Sequence, residues 1–214
     1  MSIEDQLHFD ISRCSFCPLG ANRLFFSPVF QPSTETLLVL ESPSLTVCEQ
    51  GNPWKHPTAN FLSRMLSHAT GSDLTRFHLT FLLKCWTQIE GAAPPMRHRK
   101  AWAQECAQQY LSREVEALTC KKMILFGEFV AKACLPEVEE DWESMKMKEI
   151  HWGNVDLYCL EHPKQVQKLG LNSSFGIEYL KKLHEINKTR DRSRMSSERS
   201  PDGIRGNPLI ESVN

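Results

Sequence analysis

Residues 36–43 of this 214-residue chain read TLLVLESP. An unbroken run of apolar and β-branched residues, from Thr36 to Leu40, predicts a strand that is buried on both faces. The polar and turn-forming residues Glu41-Ser42-Pro43 follow at once, so the strand is expected to end there. A carboxylate thus stands directly after a buried strand.

Three later segments share this apolar, strand-like character. They are residues 77–83, 122–126 and 155–160. Helical patterns are predicted over 58–70, 99–118, 127–135 and 174–186. This alternation predicts an α/β fold, a three-layer α/β/α sandwich around a central four-stranded, mostly parallel sheet. The site of such a fold lies beyond the carboxyl ends of its strands, where Glu41, Lys84-Cys85 and His162-Pro163 stand.

Composition favours one soluble domain. The chain holds 25 Lys and Arg against 26 Asp and Glu, a net charge of −1, and 41% of its residues are hydrophobic. We expect the domain to cover 1–187 and a polar, disordered tail to cover 188–214. The sequence has no apolar run long enough for a membrane span, and its acidic first ten residues do not resemble a signal peptide. We therefore expect a cytoplasmic, reducing location.

Eight cysteines are informative in such a location, because disulfide frameworks are rare there. Cys14 and Cys17 precede the first strand, Cys85 ends the second strand, and Cys106 lies in the following helix. Four thiolates suit zinc or an iron–sulfur cluster. The alternative is an isolated Cys-x2-Cys pair with two core cysteines. The remaining four have no partner at ligand spacing: Cys48, Cys120, Cys134 and Cys159.

Several short motifs occur in a characteristic order along the chain. They are Cys14-Ser-Phe-Cys17-Pro-Leu19 with Arg23, Leu40-Glu41-Ser42-Pro43-Ser44, Gly51-Asn52-Pro53-Trp54, Thr58-Ala59-Asn60-Phe61-Leu62, Phe81-Leu82-Leu83-Lys84-Cys85, Cys106-Ala-Gln-Gln-Tyr110-Leu111, Phe126-Gly127-Glu128-Phe129-Val130 and His162-Pro163. With the four cysteines in these places, residues 10–185 resemble the iron–sulfur branch, families 4 and 5, of the uracil-DNA glycosylase superfamily.

The resemblance implies an enzyme that flips a base out of DNA and hydrolyses its N-glycosidic bond. It implies a structural 4Fe–4S cluster on Cys14, Cys17, Cys85 and Cys106, with zinc as the alternative. Glu41 would orient water or stabilise the sugar cation, with Glu49 as a second candidate, and His162 would stabilise the departing base. The implied base pocket comprises Ser42, Pro43, Trp54, on which the base stacks, and Phe81.

The implied partner is DNA, with no membrane contact, and we expect a monomer. The candidate DNA-binding residues are Lys84, Arg97, Arg99, Lys164, Gln165 and Lys168. Residues 164–169 match the loop that the family inserts into DNA, so Gln165, Val166 or Leu169 would fill the place of the flipped base.

Three departures from the family bear on the substrate. Phe81 stands where the family has the Asn that pairs with uracil, Val47 and Cys48 replace an acidic pair, and residues 91–95 belong to an insertion. Loss of that Asn favours a modified pyrimidine over uracil. One alternative is a phage-defence glycosylase that acts on hydroxymethylated or glucosylated cytosine. Others are a non-catalytic DNA-binding module on this fold and a zinc-stabilised α/β protein of unrelated function.

Overall fold

A computed structural model describes residues 1–22, 24–28, 30, 36–71, 77–88, 92 and 94–188. Five strands form one sheet: β1 (Thr36–Leu40), β2 (Phe77–Phe81), β3 (Lys122–Phe126), β4 (Glu149–Trp152) and β5 (Val155–Leu160). Their order is β2-β1-β3-β5-β4, and only β4 runs antiparallel to its neighbour. The predicted mostly parallel α/β class is confirmed. The sheet has five strands in the described part of the chain, so the predicted number of four is wrong.

The missed strand, β4, forms the edge of the sheet and gives a weak sequence signal. Glu149 and His151 are exposed and only Trp152 is buried, so β4 lacks the continuous apolar run of the central strands. It pairs with β5 through a two-residue turn at Gly153-Asn154, where Gly153 adopts a positive φ of 59°. A turn of this composition between strand-like segments is the signal that predicts a hairpin.

Helices cover both faces of the sheet. They are α1 (Ile3–Ser12), α2 (Leu45–Gln50), α3 (Pro57–Thr70), α4 (Met96–Cys106), α5 (Ser112–Leu118), α6 (Glu128–Cys134), α7 (Trp142–Met145), α8 (Pro163–Leu169) and α9 (Ser174–Lys188). Because successive strand residues point to opposite faces, Leu37 and Val39 pack with α1, α4, α5 and α6, whereas Leu38 and Leu40 pack with α3, α8 and α9. The predicted three-layer sandwich is confirmed.

The helix predicted over 99–118 is continuous but not uniform. One π-helical turn, Ala107–Leu111, lies between α4 and α5 and begins directly after Cys106. Such turns are rare and often lie at functional sites. The short helices α2 and α8 escaped prediction because six or seven residues hold too little periodicity. Helix α1 also escaped, although its Leu7 and Ile11 are buried.

The predicted tail falls outside the described residues, apart from Lys188, which ends α9. Within the described part of the chain, no helix has both the length and the apolar character that crossing a membrane requires.

Candidate active site

The candidate site lies at the carboxyl edge of the sheet. After β1 the chain continues to β2 on one side of the sheet, and after β3 it continues to β4 and β5 on the other side. The direction in which strands are added therefore reverses between β1 and β3. A crevice for a ligand is expected at such a reversal. Glu41 follows β1, Gly127 follows β3 and His162 follows β5 at this edge. The sheet thus brings Glu41 and His162, which are far apart in the sequence, to the same edge.

His162 is held by two local features. It is the N-cap of α8, and its Nδ1 accepts a hydrogen bond of 3.2 Å from the backbone N–H of Lys164. The ring also packs against Gly127, where an added Cβ would lie 3.4 Å from the His162 Cβ and φ is +94°. Burial, and then the positive charge of Lys164, lowers the pKa of His162 to about 4. The imidazole is therefore neutral near pH 7.

A second imidazole, which the sequence analysis missed, lies at the same edge. His56 is the N-cap of α3, and its Nδ1 accepts a hydrogen bond of 3.1 Å from the backbone N–H of Thr58. Burial lowers the pKa of His56 to about 4, and the nearby charges of Lys164 and His162 act in the same direction. The signal that would have found it is the repeated His-Pro dipeptide, since Pro57 follows His56 as Pro163 follows His162.

Glu41 forms an ion pair with Arg99 of α4, and both side chains are mostly buried. The Arg99 guanidinium also lies over the Phe129 ring, 5.3 Å from its centroid, and burial lowers the pKa of Arg99. The sequence analysis placed Arg99 on the DNA-binding surface. In the structure this side chain pairs with the candidate catalytic carboxylate instead.

The four residues assigned to the base pocket differ in exposure. Phe81 is fully buried, with its ring 5.1 Å from that of Phe26 and 5.6 Å from that of His56. Pro43 is also buried, while Ser42 and Trp54 are partly exposed. His56 therefore shields Phe81 on one side, and Phe81 forms part of the core behind the site rather than an open wall.

Lys84 does not lie on a DNA-facing surface, so its predicted role needs correction. Its side chain is only 1% exposed and forms an ion pair with Glu114 of α5, which is fully buried. The Lys84 ammonium also donates to the Thr80 hydroxyl at 3.0 Å and to the Phe81 carbonyl at 2.6 Å. These partners occupy the N–H donors of the Lys84 ammonium inside the core.

The remaining candidate DNA-binding residues are exposed. They are Arg97 at the start of α4 and Lys164, Gln165 and Lys168 on α8. Leu169, at the end of α8, is 47% exposed. His162 is the N-cap of α8, so Lys164, Gln165 and Lys168 lie on the helix that starts at the candidate site. Arg23, part of a motif quoted above, lies outside the described residues.

Cys14, Cys17, Cys85 and Cys106 line one small enclosed cavity. Backbone pairing joins its walls: the Phe26 N–H donates to the Lys84 carbonyl at 2.7 Å, and Phe25 bridges Cys85. The loop of Cys14 and Cys17 is compact, because a Cβ on Gly20 would lie 2.4 Å from the Cys14 carbonyl oxygen.

Hydrogen-bond donors surround these sulfurs. The backbone N–H groups of Leu19 and Gly20 lie against the Cys17 thiol, and the Tyr110 side chain hydrogen-bonds to Cys14. Burial raises the pKa of Cys106 to about 12. A cation would reverse this effect by stabilising the thiolate, so the donor set fits a group bound by four thiolates. Cys120, Cys134 and Cys159, which the sequence leaves as core or surface thiols, are buried.

A different group of possible ligands lies at the opposite edge of the sheet. Among the described residues, Glu149, His151 and Asp156 alone bring three ligand atoms within 4.8 Å of one another. They lie on the β4–β5 hairpin, where the two ring nitrogens of His151 face the two carboxylates separately. This arrangement is a mostly exposed polar group on the hairpin, in which His151 hydrogen-bonds to Asp156 at 2.8 Å.

A comparison with protein-family models places the chain in a known group. The model described as the uracil DNA glycosylase superfamily matches residues 27–184, about three quarters of the chain. A comparison with individual curated proteins gave no match.

Proposed function

The chain belongs to the uracil DNA glycosylase superfamily, whose members are DNA glycosylases, and on this premise we propose that it is a monofunctional DNA glycosylase. One observation carries the proposal beyond family membership. A neutral, rigidly capped His162 and the carboxylate of Glu41 occupy the two sides of the strand reversal at the carboxyl edge of the sheet.

The proposed reaction is hydrolysis of the bond between the sugar C1′ and the base. A base that is flipped out of the stack enters the site, and the C1′–N bond breaks with both electrons leaving on the base. Water adds its oxygen to C1′ and releases one proton, and the base takes up a proton. The products are the free base and an abasic sugar, so atoms and charge balance.

His162 is proposed to stabilise the departing base. Since its Nδ1 accepts the Lys164 N–H, the proton of the neutral ring lies on Nε2, which is a hydrogen-bond donor. A fixed donor that faces developing negative charge contributes about 2.7–4 kcal/mol to transition-state stabilisation in comparable sites. The capping bond and the packing on Gly127 keep the ring from rotating.

Glu41 is proposed to stabilise the cationic sugar and to orient the attacking water. Arg99 holds the carboxylate in one place through their ion pair, so we assign Arg99 a positioning role. The same pair favours a second candidate function. If Arg99 neutralises Glu41 throughout, the protein would bind DNA without excising a base.

The proposed substrate is uracil or a modified pyrimidine. Phe81 has no hydrogen-bonding side-chain group. It therefore cannot replace the Asn that pairs with uracil in the iron–sulfur branch that the chain resembles. Defence against phage DNA with hypermodified cytosine is the more specialised form of the same proposal. Arg97, Lys164, Gln165 and Lys168 are proposed DNA contacts, because exposed basic and amide side chains near the site bind phosphates.

We also propose a structural 4Fe–4S cluster on Cys14, Cys17, Cys85 and Cys106. All four sulfurs line one small cavity, which supports a single group held by the four thiolates together, with zinc as the alternative. When bound, the cluster would fasten the N-terminal loop to the end of β2 and to α4. It would supply no step of the reaction.

Colour and metal content test the cofactor. An iron–sulfur protein is brown and a zinc protein is colourless. Cys85→Ser should lower iron per chain and the visible absorbance, while Cys134→Ser, a buried cysteine outside the cavity, should leave both unchanged. Equal zinc content in both variants, with no iron in either, would contradict the proposal.

The test of function is a base-excision assay on a panel of DNA duplexes and single strands. The panel contains uracil, 5-hydroxymethylcytosine and glucosylated cytosine, and abasic sites are detected as alkali-labile breaks. Breaks that Glu41→Gln reduces would support the enzyme and identify its base. Salt-dependent DNA binding without breaks in any substrate would refute catalysis and leave the binding module.

A further inference from the structure

Two histidine–proline pairs lie at the carboxyl edge of the sheet, and the proposed function uses only one. His162 starts α8 and His56 starts α3, and each ring accepts the backbone N–H two residues further along. Residues 57–71 and 163–170 differ in length and sequence, yet the two N-caps have the same geometry. His56 is thus a second rigidly held imidazole with no role assigned so far.

The capping bond fixes which ring nitrogen of His56 carries the proton. An Nδ1 that accepts a hydrogen bond is unprotonated, so the neutral ring carries its proton on Nε2. The ring is neutral near pH 7, since burial, the charge of Lys164 and, at low pH, protonated His162 lower its pKa to about 4. Nε2 is therefore a donor and not an acceptor.

The location of the ring relates it to the base site. Its centroid lies 5.6 Å from that of Phe81, the last residue of β2, and it lies within electrostatic range of His162. Phe81 itself is fully buried and has no polar side-chain atom. A base that enters beside His162 would therefore meet the His56 imidazole, and not Phe81, on the β2 side.

We propose that His56 is a base-contacting residue, whose Nε2–H donates a hydrogen bond to a carbonyl oxygen of the flipped base. This inference rests on the proposed glycosylase function. A base held between two N–H donors, those of His56 and His162, needs acceptors at two positions. Uracil and 5-substituted uracils have carbonyl oxygens at positions 2 and 4, whereas cytosine and its derivatives carry an amino donor at position 4. The charge of the departing base develops on N1 and the 2-oxygen, the side assigned to His162, so His56 would contact the 4-oxygen.

The test separates base contact from helix capping. His56→Asn keeps a side-chain oxygen that caps α3 but removes the donor at the position of Nε2, because the amide nitrogen of the shorter side chain does not reach as far as the ring. His68→Asn, in the exposed last turn of the same helix, is the matched control. Single-turnover excision is measured on DNA that contains uracil and on DNA that contains pyrimidin-2-one, which lacks the 4-oxygen. Intrinsic reactivity of the two bases cancels when their rate ratio is compared between proteins.

We expect His56→Asn to slow uracil excision by about 10- to 100-fold, as loss of one substrate hydrogen bond does, with unchanged DNA affinity. The ratio of uracil to pyrimidin-2-one rates should fall about 10- to 100-fold below the wild-type ratio in this variant and stay at the wild-type value in His68→Asn. A thermal melt shows whether the cap survives. If His56→Asn does not fold, His56→Ser, which also caps, takes its place.

The outcomes distinguish the two proposals. If the wild type excises the base and His56→Asn does so at a rate within twofold, the base contact is overturned while the glycosylase function stands. The same conclusion follows if the ratio of uracil to pyrimidin-2-one rates is unchanged in His56→Asn. Preferred wild-type excision of a cytosine derivative over uracil also overturns the inference. No excision by the wild type on any base refutes the proposed function and, with it, the contact.

Discussion

Replacing Lys84 by Met tests whether its ammonium is a structural charge of the core. Lys84 is 1% exposed and pairs with Glu114, which is fully buried. The substitution leaves the Glu114 carboxylate without a counter-charge and the Phe81 carbonyl without its 2.6 Å donor. Breaking a buried pair from one side costs about 3–5 kcal/mol. That loss is a large part of the 5–15 kcal/mol by which domains are usually stable.

The assay is urea unfolding followed by circular dichroism, on three variants and one control pair. Lys84→Met and Glu114→Leu should each lower the free energy of unfolding, whereas the double variant that carries both changes should recover most of the loss, because no charge is left in the core. Lys132→Met breaks the exposed pair of Lys132 and Glu128 on α6 and should cost less than about 1 kcal/mol.

Two results would refute this reasoning about Lys84. One is a loss below about 1 kcal/mol for Lys84→Met, which is the value expected of a surface pair. The other is a double variant whose loss equals the sum of the single losses, since that would mean the two side chains do not interact. If Lys84→Met does not fold, a double variant that is more stable than Glu114→Leu alone still shows that the two charges interact.

Three further predictions concern Arg99, His78 and Gly20. Arg99→Met should slow excision at least tenfold, because it releases Glu41, but should keep the slope of log DNA affinity against log salt concentration. Arg97→Met, at an exposed position, should instead lower that slope by about one. The reversed pattern would restore Arg99 as a phosphate contact. Burial, and then the charge of Lys84, lowers the pKa of His78 to about 4. As pH falls from about 6.5 to 4, the His78 ring is therefore protonated in the unfolded chain but remains neutral in the folded chain. Stability should therefore fall across this window, and His78→Phe should reduce its slope by up to about 1.4 kcal/mol per pH unit; parallel curves would contradict this. Gly20→Ala should lower both stability, by about 1–3 kcal/mol, and iron per chain, because its Cβ would meet the Cys14 carbonyl oxygen at 2.4 Å; wild-type melting and iron content would disprove the close approach.

The central strands were predictable because a continuous apolar run is enough by itself to predict a buried strand. The bounds of β1, β3 and β5 agree with the prediction, since each strand is buried on nearly every residue. Strand β2 ends at Phe81 and not at residue 83, although the Leu82 N–H still bonds to the Leu40 carbonyl at 2.8 Å. Edge strand β4 was not predictable from such runs, because solvent on one side permits charged residues.

The candidate site was only partly predictable, since sequence motifs identify residues but not their partners. The positions of Glu41 and His162 after strands follow from the fold, and the sheet brings them to one edge. The partners of Lys84 and Arg99 depend on the packing of α4 and α5, which one sequence does not specify. His56 was missed because a histidine that starts a helix resembles an ordinary cap until its neighbours are known.

The most direct test of the central claim is single-turnover base excision by the wild type and by His162→Ala, with DNA binding measured in parallel. The proposed mechanism predicts abasic product from the wild type. It also predicts a rate at least about 100-fold lower for the variant and an affinity within a few-fold, because the lost contact forms in the transition state. Equal rates for the two proteins would contradict the role of His162. DNA that stays intact with the wild type, on every base in the panel, would contradict the glycosylase itself.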